Sequence, residues 1–271
     1  MCRGRREVLH DEELLAGPHQ SQFPTRQFLD RRGVVQQARL LLAQPRILRL
    51  LLLERGRRRF VLCSRLEHRE QPAIADNGID DDSQRQKHHG PPGNPPASGK
   101  STLSANLRGE LTAMGEAAIV VPMDGFHFDD IILLARGHRS RKGAPFTFDV
   151  AGFETLLKRI RSGEPDIAIP VFDRTMELSR NAADIVDEKS RIILVEGNYL
   201  LLDKAPWSRL RSLFDYTIFL NVPLEELERR SVQRWLDHGF DMAYATNWIA
   251  SNDLPNMKEV IANSAAADLT V

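Results

Sequence analysis

Cysteine is nearly absent: Cys2 and Cys63 are the only two in 271 residues. Two isolated thiols supply neither a disulfide framework nor a metal-ligand cluster, and they fit a reducing, cytoplasmic setting. Net charge is absent too, with 37 Lys and Arg against 37 Asp and Glu. That balance points to neither nucleic acid nor an anionic membrane surface as a partner. No apolar run reaches the ~18 residues of a membrane span; the nearest, Leu40 to Leu53, is broken by Arg46 and Arg49. The N-terminal arginines lead into no apolar core with a cleavage site, so no secretory leader is expected. An internal repeat and an Asn-Lys-x-Asp guanine signature are also missing, which disfavours a GTP-dependent switch. What remains is a chain whose expected partners are small molecules, with self-association left open.

The two parts of the chain are written differently. Residues 1–94 carry 16 Arg and 1 Lys, whereas residues 95–271 carry 14 Arg and 6 Lys. In the first part Leu50 to Leu53 runs into Arg55-Gly56-Arg57-Arg58-Arg59 without a helix cap, and Asp80-Asp81-Asp82 meets Gln84 to His89. Pattern, caps and turns do not agree with one another there. Residues 1–94 are therefore expected to be a poorly structured extension, such as an upstream region translated in the wrong frame, rather than a basic interaction arm.

From Ala97 onward the order is clear. Leu103, Leu107, Leu111 and Met114 mark one helix face, stopped at Gly115. Phe153, Leu156, Leu157 and Ile160 mark another, stopped at Gly163. Ala117 to Val121, Ile192 to Val195 and Tyr216 to Val222 are short continuous apolar runs, the pattern of strands buried on both faces. Leu224 to Leu236 reads as a helix ending before Gly239. Strands alternating with helices predict an α/β fold with a parallel sheet.

Gly99-Lys100-Ser101-Thr102 opens the first of these helices. A phosphate-binding loop needs converging backbone N–H groups, a helix N-terminus behind them, a Lys to span the phosphates and a hydroxyl for Mg²⁺. Ala97, Ser98, Gly99, Lys100, Ser101 and Thr102 can supply the N–H groups, and Lys100 and Ser101 the other two roles. The full pattern places Gly where this chain has Asn94; Asn is the residue after Gly most tolerant of the left-handed region. The polar stretch Asp82 to Gly90 cannot be the buried strand that precedes such a loop, so the sheet is expected to have its first strand degenerate or missing.

Asp124 follows the run Ala117 to Val121, and Glu196 follows Ile192 to Val195. Ligands of parallel α/β sheets bind beyond the carboxyl ends of the strands, so both acids face the edge that carries Gly-Lys-Ser-Thr. One can hold Mg²⁺ while the other accepts the proton of an attacking hydroxyl.

These segments carry a resemblance. Residues 95–271 resemble the superfamily of uridine kinase, phosphoribulokinase and bacterial pantothenate kinase, and most closely its bacterial nucleoside/nucleotide kinase-like branch, some of whose members are called fructokinases. It rests on Pro95 to Thr102, Pro122 to His127, Arg141-Lys142-Gly143-Ala144-Pro145, Thr147-Phe148-Asp149, Ile169 to Arg174, Val195 to Leu201 and Gln233 to Gly239. The resemblance implies a three-layer P-loop kinase domain over 95–271 that moves the γ-phosphoryl group of ATP onto a hydroxyl of a small metabolite. It implies Asp124 as general base, Glu196 near Mg²⁺, Asp173 and Arg174 facing the acceptor, and a lid helix whose Arg230 and Arg234 close over the phosphates. The acceptor is expected to be a sugar such as fructose, with a nucleoside or pantothenate as alternatives; a nucleotide-binding pseudokinase is the alternative of another class.

Other candidates have a plainer reading beside the functional one. Arg136, Arg139, Arg141 and Lys142 form either a solvated loop or a contact to an anionic substrate. Tyr199 either stacks on the acceptor or packs behind the strand. His127 either bonds the substrate or sits satisfied in its loop. Asn252, Asp253 and Asn256 could frame the adenine, and Trp207, Trp235 and Trp248 are assigned to core or interface.

Overall fold

The computed structural model describes residues 38–43, 58–66 and 99–271. Five strands form one parallel sheet: β1 (Arg59–Leu66), β2 (Ala118–Pro122), β5 (Ile192–Glu196), β6 (Tyr216–Asn221) and the short β7 (Leu269–Thr270), in the order β2-β5-β1-β6-β7. Strands β3 (Ile167–Asp173) and β4 (Leu178–Val186) form a separate antiparallel hairpin. Proline lacks an N–H for the ladder, and the hairpin register slips between Ile169 and Val171, at Pro170.

Both faces of the sheet are covered, and the alternation along β5 shows how. Ile192 and Leu194 join one core with Leu103, Leu107 and Leu111 of helix α1 (Lys100–Ala113). Ile193 and Val195 join the other with Phe153, Leu157 and Ile160 of helix α3 (Val150–Arg161). Helix α2 (Asp130–Ala135) lies between them in sequence, with Asp129 as its N-cap: the Asp129 carboxylate accepts from the Ile131 N–H at 2.9 Å. After β6 come α4 (Leu224–Asp237), α5 (Met242–Trp248), a π-helical turn at Ile249–Asp253, and α6 (Leu254–Asn263). Trp235, Ala245 and Ile249 form a small third core among them.

The expectation of a degenerate or missing first strand is corrected here. Arg59–Leu66, inside the region read as unstructured, fills the centre of the sheet and pairs with β5 on one side and β6 on the other. A strand flanked on both sides needs only a few apolar residues: Phe60 enters one core and Val61 the other. One of the arginines that obscure it in the sequence is accommodated locally. Arg58 donates to the carbonyl oxygens of Ile160, Glu164 and Asp187 at 3.1, 2.9 and 3.0 Å. The Phe60 N–H donates to Asp215 at 2.8 Å. A division of the chain at residue 94 would thus separate this strand from the sheet that holds it. Among the described residues no helix is long and apolar enough to cross a membrane.

Candidate active site

The N-terminus of α1 is built to receive an anion. Gly99 adopts φ +85°, which glycine alone enters at no cost, and turns the chain into the helix at Lys100. Among the described residues the first turn has no acidic side chain and no side-chain cap, an arrangement in which orphan N–H groups and the positive end of the helix dipole can receive an anion. Lys100 is 3% exposed. The Ser101 hydroxyl donates to Glu196 Oε2 at 3.0 Å. Thr102 is exposed on the same turn. Asn94, Ala97 and Ser98 lie outside the described residues.

Two buried carboxylates stand beside this turn. Glu196 closes β5 and Asp124 sits in the 3₁₀ turn Met123–Phe126 that follows β2; each is 4% exposed. They are neighbours because β2 and β5 pair directly, with Pro122 opposite Glu196. Burial pushes the Glu196 carboxyl above its ordinary range, with a further push from the Asp124 charge; Lys100 and the Ser101 hydroxyl oppose it. Two glycines let the backbone close around the acids. A Cβ on Gly125 would meet the Pro170 carbonyl oxygen at 2.3 Å, and one on Gly197 would meet Met123 Cβ at 2.6 Å.

The hairpin brings the third side of the site. Arg174, in its turn, reaches Asp124 Oδ2 at 3.4 Å, and the Ser179 hydroxyl donates to the Asp124 carbonyl oxygen at 3.4 Å. His127 is buried with its ring 4.0 Å from that of Phe148 and 4.9 Å from that of Phe172, centroid to centroid. Neither of its ring nitrogens has a hydrogen-bond partner among the described residues. Burial lowers its pKa to about 4, against the pull of Asp124, so the imidazole is neutral near pH 7 and carries one donor and one acceptor.

Several residues expected at the acceptor, the phosphates or the adenine also make contacts within the protein. Asp173 caps its own hairpin turn, accepting from the N–H groups of Thr175 and Met176 at 3.0 and 3.1 Å. Lys142 is fully buried and ion-paired to Asp130 at 2.7 Å and Glu177 at 3.4 Å, which ties the hairpin tip to α2. Arg141 donates to the side-chain oxygens of Asn252 and Asn256, so these two asparagines hold an arginine. Arg230 is bound by Glu226 on its own helix at 2.6 Å. Tyr199 is completely buried against Phe148 and Trp207, and its hydroxyl donates to the Gly143 carbonyl oxygen. It has no face for stacking on a substrate. Tyr199→Phe is expected to leave the Michaelis constants within about twofold and to lower stability by about 1–3 kcal/mol, because the buried Gly143 carbonyl loses its donor. Thermal denaturation alongside steady-state kinetics checks this; a large rise in one Michaelis constant would return Tyr199 to the site.

Arg234, on α4, belongs to the same electrostatic group. Burial and the Arg174 charge lower its pKa to about 10, opposed by Asp253, Asp124 and Glu177. Asp253, which the sequence offers as a residue that could frame the adenine, is 1% exposed on the π-helical turn. Burial raises its pKa to about 7 from 3.8, with Arg234 and the indoles of Trp235 and Trp248 opposing. Between those values the folded state holds a proton that the unfolded chain has released. Stability therefore falls as pH rises from about 4 to about 7 and levels off above, as far as this group is concerned. Asp253→Asn should remove that slope: its urea midpoint, relative to the parent, should rise with pH across that window and then stay constant. Midpoints that run parallel from pH 4.5 to 8.5 would contradict the assignment.

The donor set fits Mg²⁺. The ion takes hard oxygen ligands, keeps several waters, and is held at such sites by one or two carboxylates together with substrate phosphates. Ser101 and Glu196 offer a hydroxyl and a carboxylate already in contact, and Asp124 adds a second buried carboxylate whose charge Glu196 feels.

No family model matches the chain. An uncharacterized Escherichia coli protein, YggC, is 36% identical over 183 residues, 65% of this chain and 74% of its own length. A Schizosaccharomyces pombe protein provisionally named a uridine kinase is 31% identical over 185 residues, 65% of this chain and 79% of its own. A solved structure from Silicibacter sp. TM1040, provisionally named a fructose transport system kinase, matches with a TM-score of 0.70 and 35% identity over 88% of this chain and 98% of that one. With the parallel sheet, the helix that opens at Gly99-Lys100-Ser101 and the two strand-end carboxylates, these likenesses place the chain in the superfamily of uridine kinase, phosphoribulokinase and pantothenate kinase, the P-loop ATP-dependent phosphotransferases that act on small molecules.

Proposed function

We propose that the chain transfers the γ-phosphoryl group of ATP to a hydroxyl of a sugar, with a ketohexose such as fructose as the first candidate. The observation that carries this reading is the cluster at the sheet edge: buried Asp124 within 3.4 Å of Arg174, beside Glu196 and the N-terminus of α1. The groups on the acceptor side, namely Asp124, Arg174 and the neutral His127, are able to hydrogen-bond a ligand, and this suits a polyol. The likeness to the Silicibacter protein supports the same class.

In this reading the N–H groups at the start of α1 and the Lys100 ammonium hold the phosphate chain. Ser101 and Glu196 would hold Mg²⁺, which when bound neutralises charge on the β- and γ-phosphate oxygens. Asp124 accepts the proton of the acceptor hydroxyl as its oxygen bonds to the γ-phosphorus. The bond from that phosphorus to the bridging oxygen breaks, and ADP carries the electron pair away. Arg174 orients the Asp124 carboxylate, and Arg234 offsets charge on the group in transfer. The barrier is lowered mainly by positioning and by fixed charge.

The test is an ATP-consumption assay of the full chain against ketoses, aldoses, nucleosides and pantothenate. Saturable turnover with a ketohexose, lost in Asp124→Asn, is the expected result. Saturation by a nucleoside or by pantothenate would move the acceptor class, and ATP binding without turnover on any of them would favour the pseudokinase reading.

A further inference from the structure

A pocket of about 370 Å³ is lined by Arg141, Phe146, Lys204, Trp207, Asn256 and Glu259, with three prolines and other residues completing its wall. Its polar groups do not cancel. The Lys204 ammonium is bound to Glu259 at 2.7 Å, which leaves Arg141 as the excess charge. Among the described residues Arg141 has no carboxylate partner. Its Nε donates to Asn252 Oδ1 at 3.2 Å and one Nη to Asn256 Oδ1 at 3.0 Å. Both acceptors are neutral, and Asn252 is itself fixed by donating to the Lys142 carbonyl oxygen at 2.9 Å. A half-buried guanidinium is thus oriented by two carboxamides, uncompensated, and still has donors to give.

The rest of the wall is apolar and stiff. Pro145, Pro206 and Pro255 have fixed φ, and the Trp207 indole is locked by donating to the Pro145 carbonyl oxygen at 3.2 Å. Phe146 stands at the rim, 49% exposed, an apolar ring without a full set of neighbours. Concave, preformed, mostly apolar pockets with one placed polar group are the usual form of small-molecule sites.

We propose that this pocket binds a small monocarboxylate with an apolar body, the carboxylate on the free edge of the Arg141 guanidinium and the body between Phe146 and the prolines of the wall. A single excess positive charge matches a carboxylate better than a phosphate dianion, and the planar guanidinium matches its two oxygens. Such a carboxylate has two sources: an arm of the phosphoryl acceptor, or a separate metabolite. The site itself does not depend on the phosphoryl-transfer reading, because binding is read without turnover.

The probes are 3-phenylpropionate and its neutral isostere 3-phenylpropionamide, titrated into the full chain by ligand-observed NMR and thermal shift. The acid is expected to bind with a dissociation constant on the order of 1 mM, within what ligands of this size reach. The amide should bind at least about tenfold more weakly, the usual scale of a charge-assisted pair. Arg141→Gln should erase the preference for the acid. Phe146→Ala, at an exposed position, should fold normally and weaken both probes several-fold. Competition of the acid with the acceptor in the kinetic assay assigns the pocket to an arm of the acceptor, and its absence assigns it to a separate metabolite. Equal binding of acid and amide to the parent chain, no binding of either up to about 20 mM, or unchanged affinities in Phe146→Ala would each overturn the proposal.

Discussion

Asp124→Asn should retain ATP binding nearly unchanged and lose turnover by roughly 10²–10⁴-fold, the range for removal of a general base. The expectation rests on position. Asp124 lies two residues beyond the end of β2, 4% exposed, with Arg174 at 3.4 Å from Oδ2. Asparagine keeps the shape and can still accept from Arg174, so the local fold has little reason to change. What it loses is the ability to take a proton at the moment the acceptor oxygen attacks. It also loses a negative charge near Glu196, whose carboxyl the Asp124 charge helps push upward. The variant should therefore hold ADP or ATP at least as well as the parent. Two measurements separate the roles: the dissociation constant of a non-hydrolysed ATP analogue, and single-turnover rates at saturating acceptor. If affinity and turnover fall by the same factor, Asp124 is a nucleotide or metal ligand and the base lies elsewhere.

The pattern of what the sequence disclosed follows from what local pattern can carry. Buried parallel strands announce themselves as apolar runs, so β2, β5 and β6 are legible to within a residue or two at each end. Helices α1, α3 and α4 are legible from their apolar faces and glycine stops. The hairpin is not. Six successive residues of β4 are exposed, so no face of it repeats as apolar, and its turn is defined by Asp173 capping and the positive φ of Glu177 rather than by glycine. Strand β1 was hidden for a related reason: Phe60 to Cys63 is short and set among arginines, and its identity as a strand comes from the two strands beside it. Long-range partners are invisible in principle. Tyr199 and Gly143 are 56 positions apart, and nothing in Val195-Glu196-Gly197-Asn198-Tyr199 says that the ring is enclosed rather than presented.

The site shows the same division. Residues proposed to meet a ligand through chemistry common to many proteins (the Gly-Lys-Ser turn and an acid at each strand end) are legible one by one as candidates. Residues that set the positions of those groups were not. Lys142 looks like a ligand to anions in sequence, yet its charge is matched by Asp130 and Glu177. A buried cation with two carboxylates holds the hairpin, and with it Arg174, at a fixed distance from α2. Its removal would take a buried cation from both acids while Asp130 kept Arg139 at 2.6 Å, a larger disturbance than loss of a surface pair.

Arg234→Ala should lower turnover by up to roughly 10³-fold with a much smaller change in the acceptor Michaelis constant. Arginines that meet charge only as it develops in phosphoryl transfer are worth about 10³–10⁵ in rate, and the lower end applies where other cations share the charge, as Lys100 and Arg174 would here. The geometry supports such a role. Arg234 projects from α4 into a buried setting where it feels Arg174 from the hairpin, Asp124 from the end of β2, and Asp253 from the π-helical turn. Its guanidinium carbon is 5.9 Å from the centroid of the Trp235 ring, and with a pKa of about 10 it stays charged near pH 7. A cation drawn out of water at that cost is stabilised when a phosphoryl group brings negative charge to it, and most when that charge is spread over the oxygens in transfer. Arg234→Lys should recover only part of the rate, because an ammonium cannot reproduce the planar fork. The comparison to make is the turnover number against the Michaelis constant for parent, Ala and Lys forms, with the ATP-analogue affinity measured separately. Turnover of Arg234→Ala within about threefold of the parent would return this residue to the packing of α4 against the π-helical turn, and leave Lys100 and Arg174 as the cations that act on the transferring group.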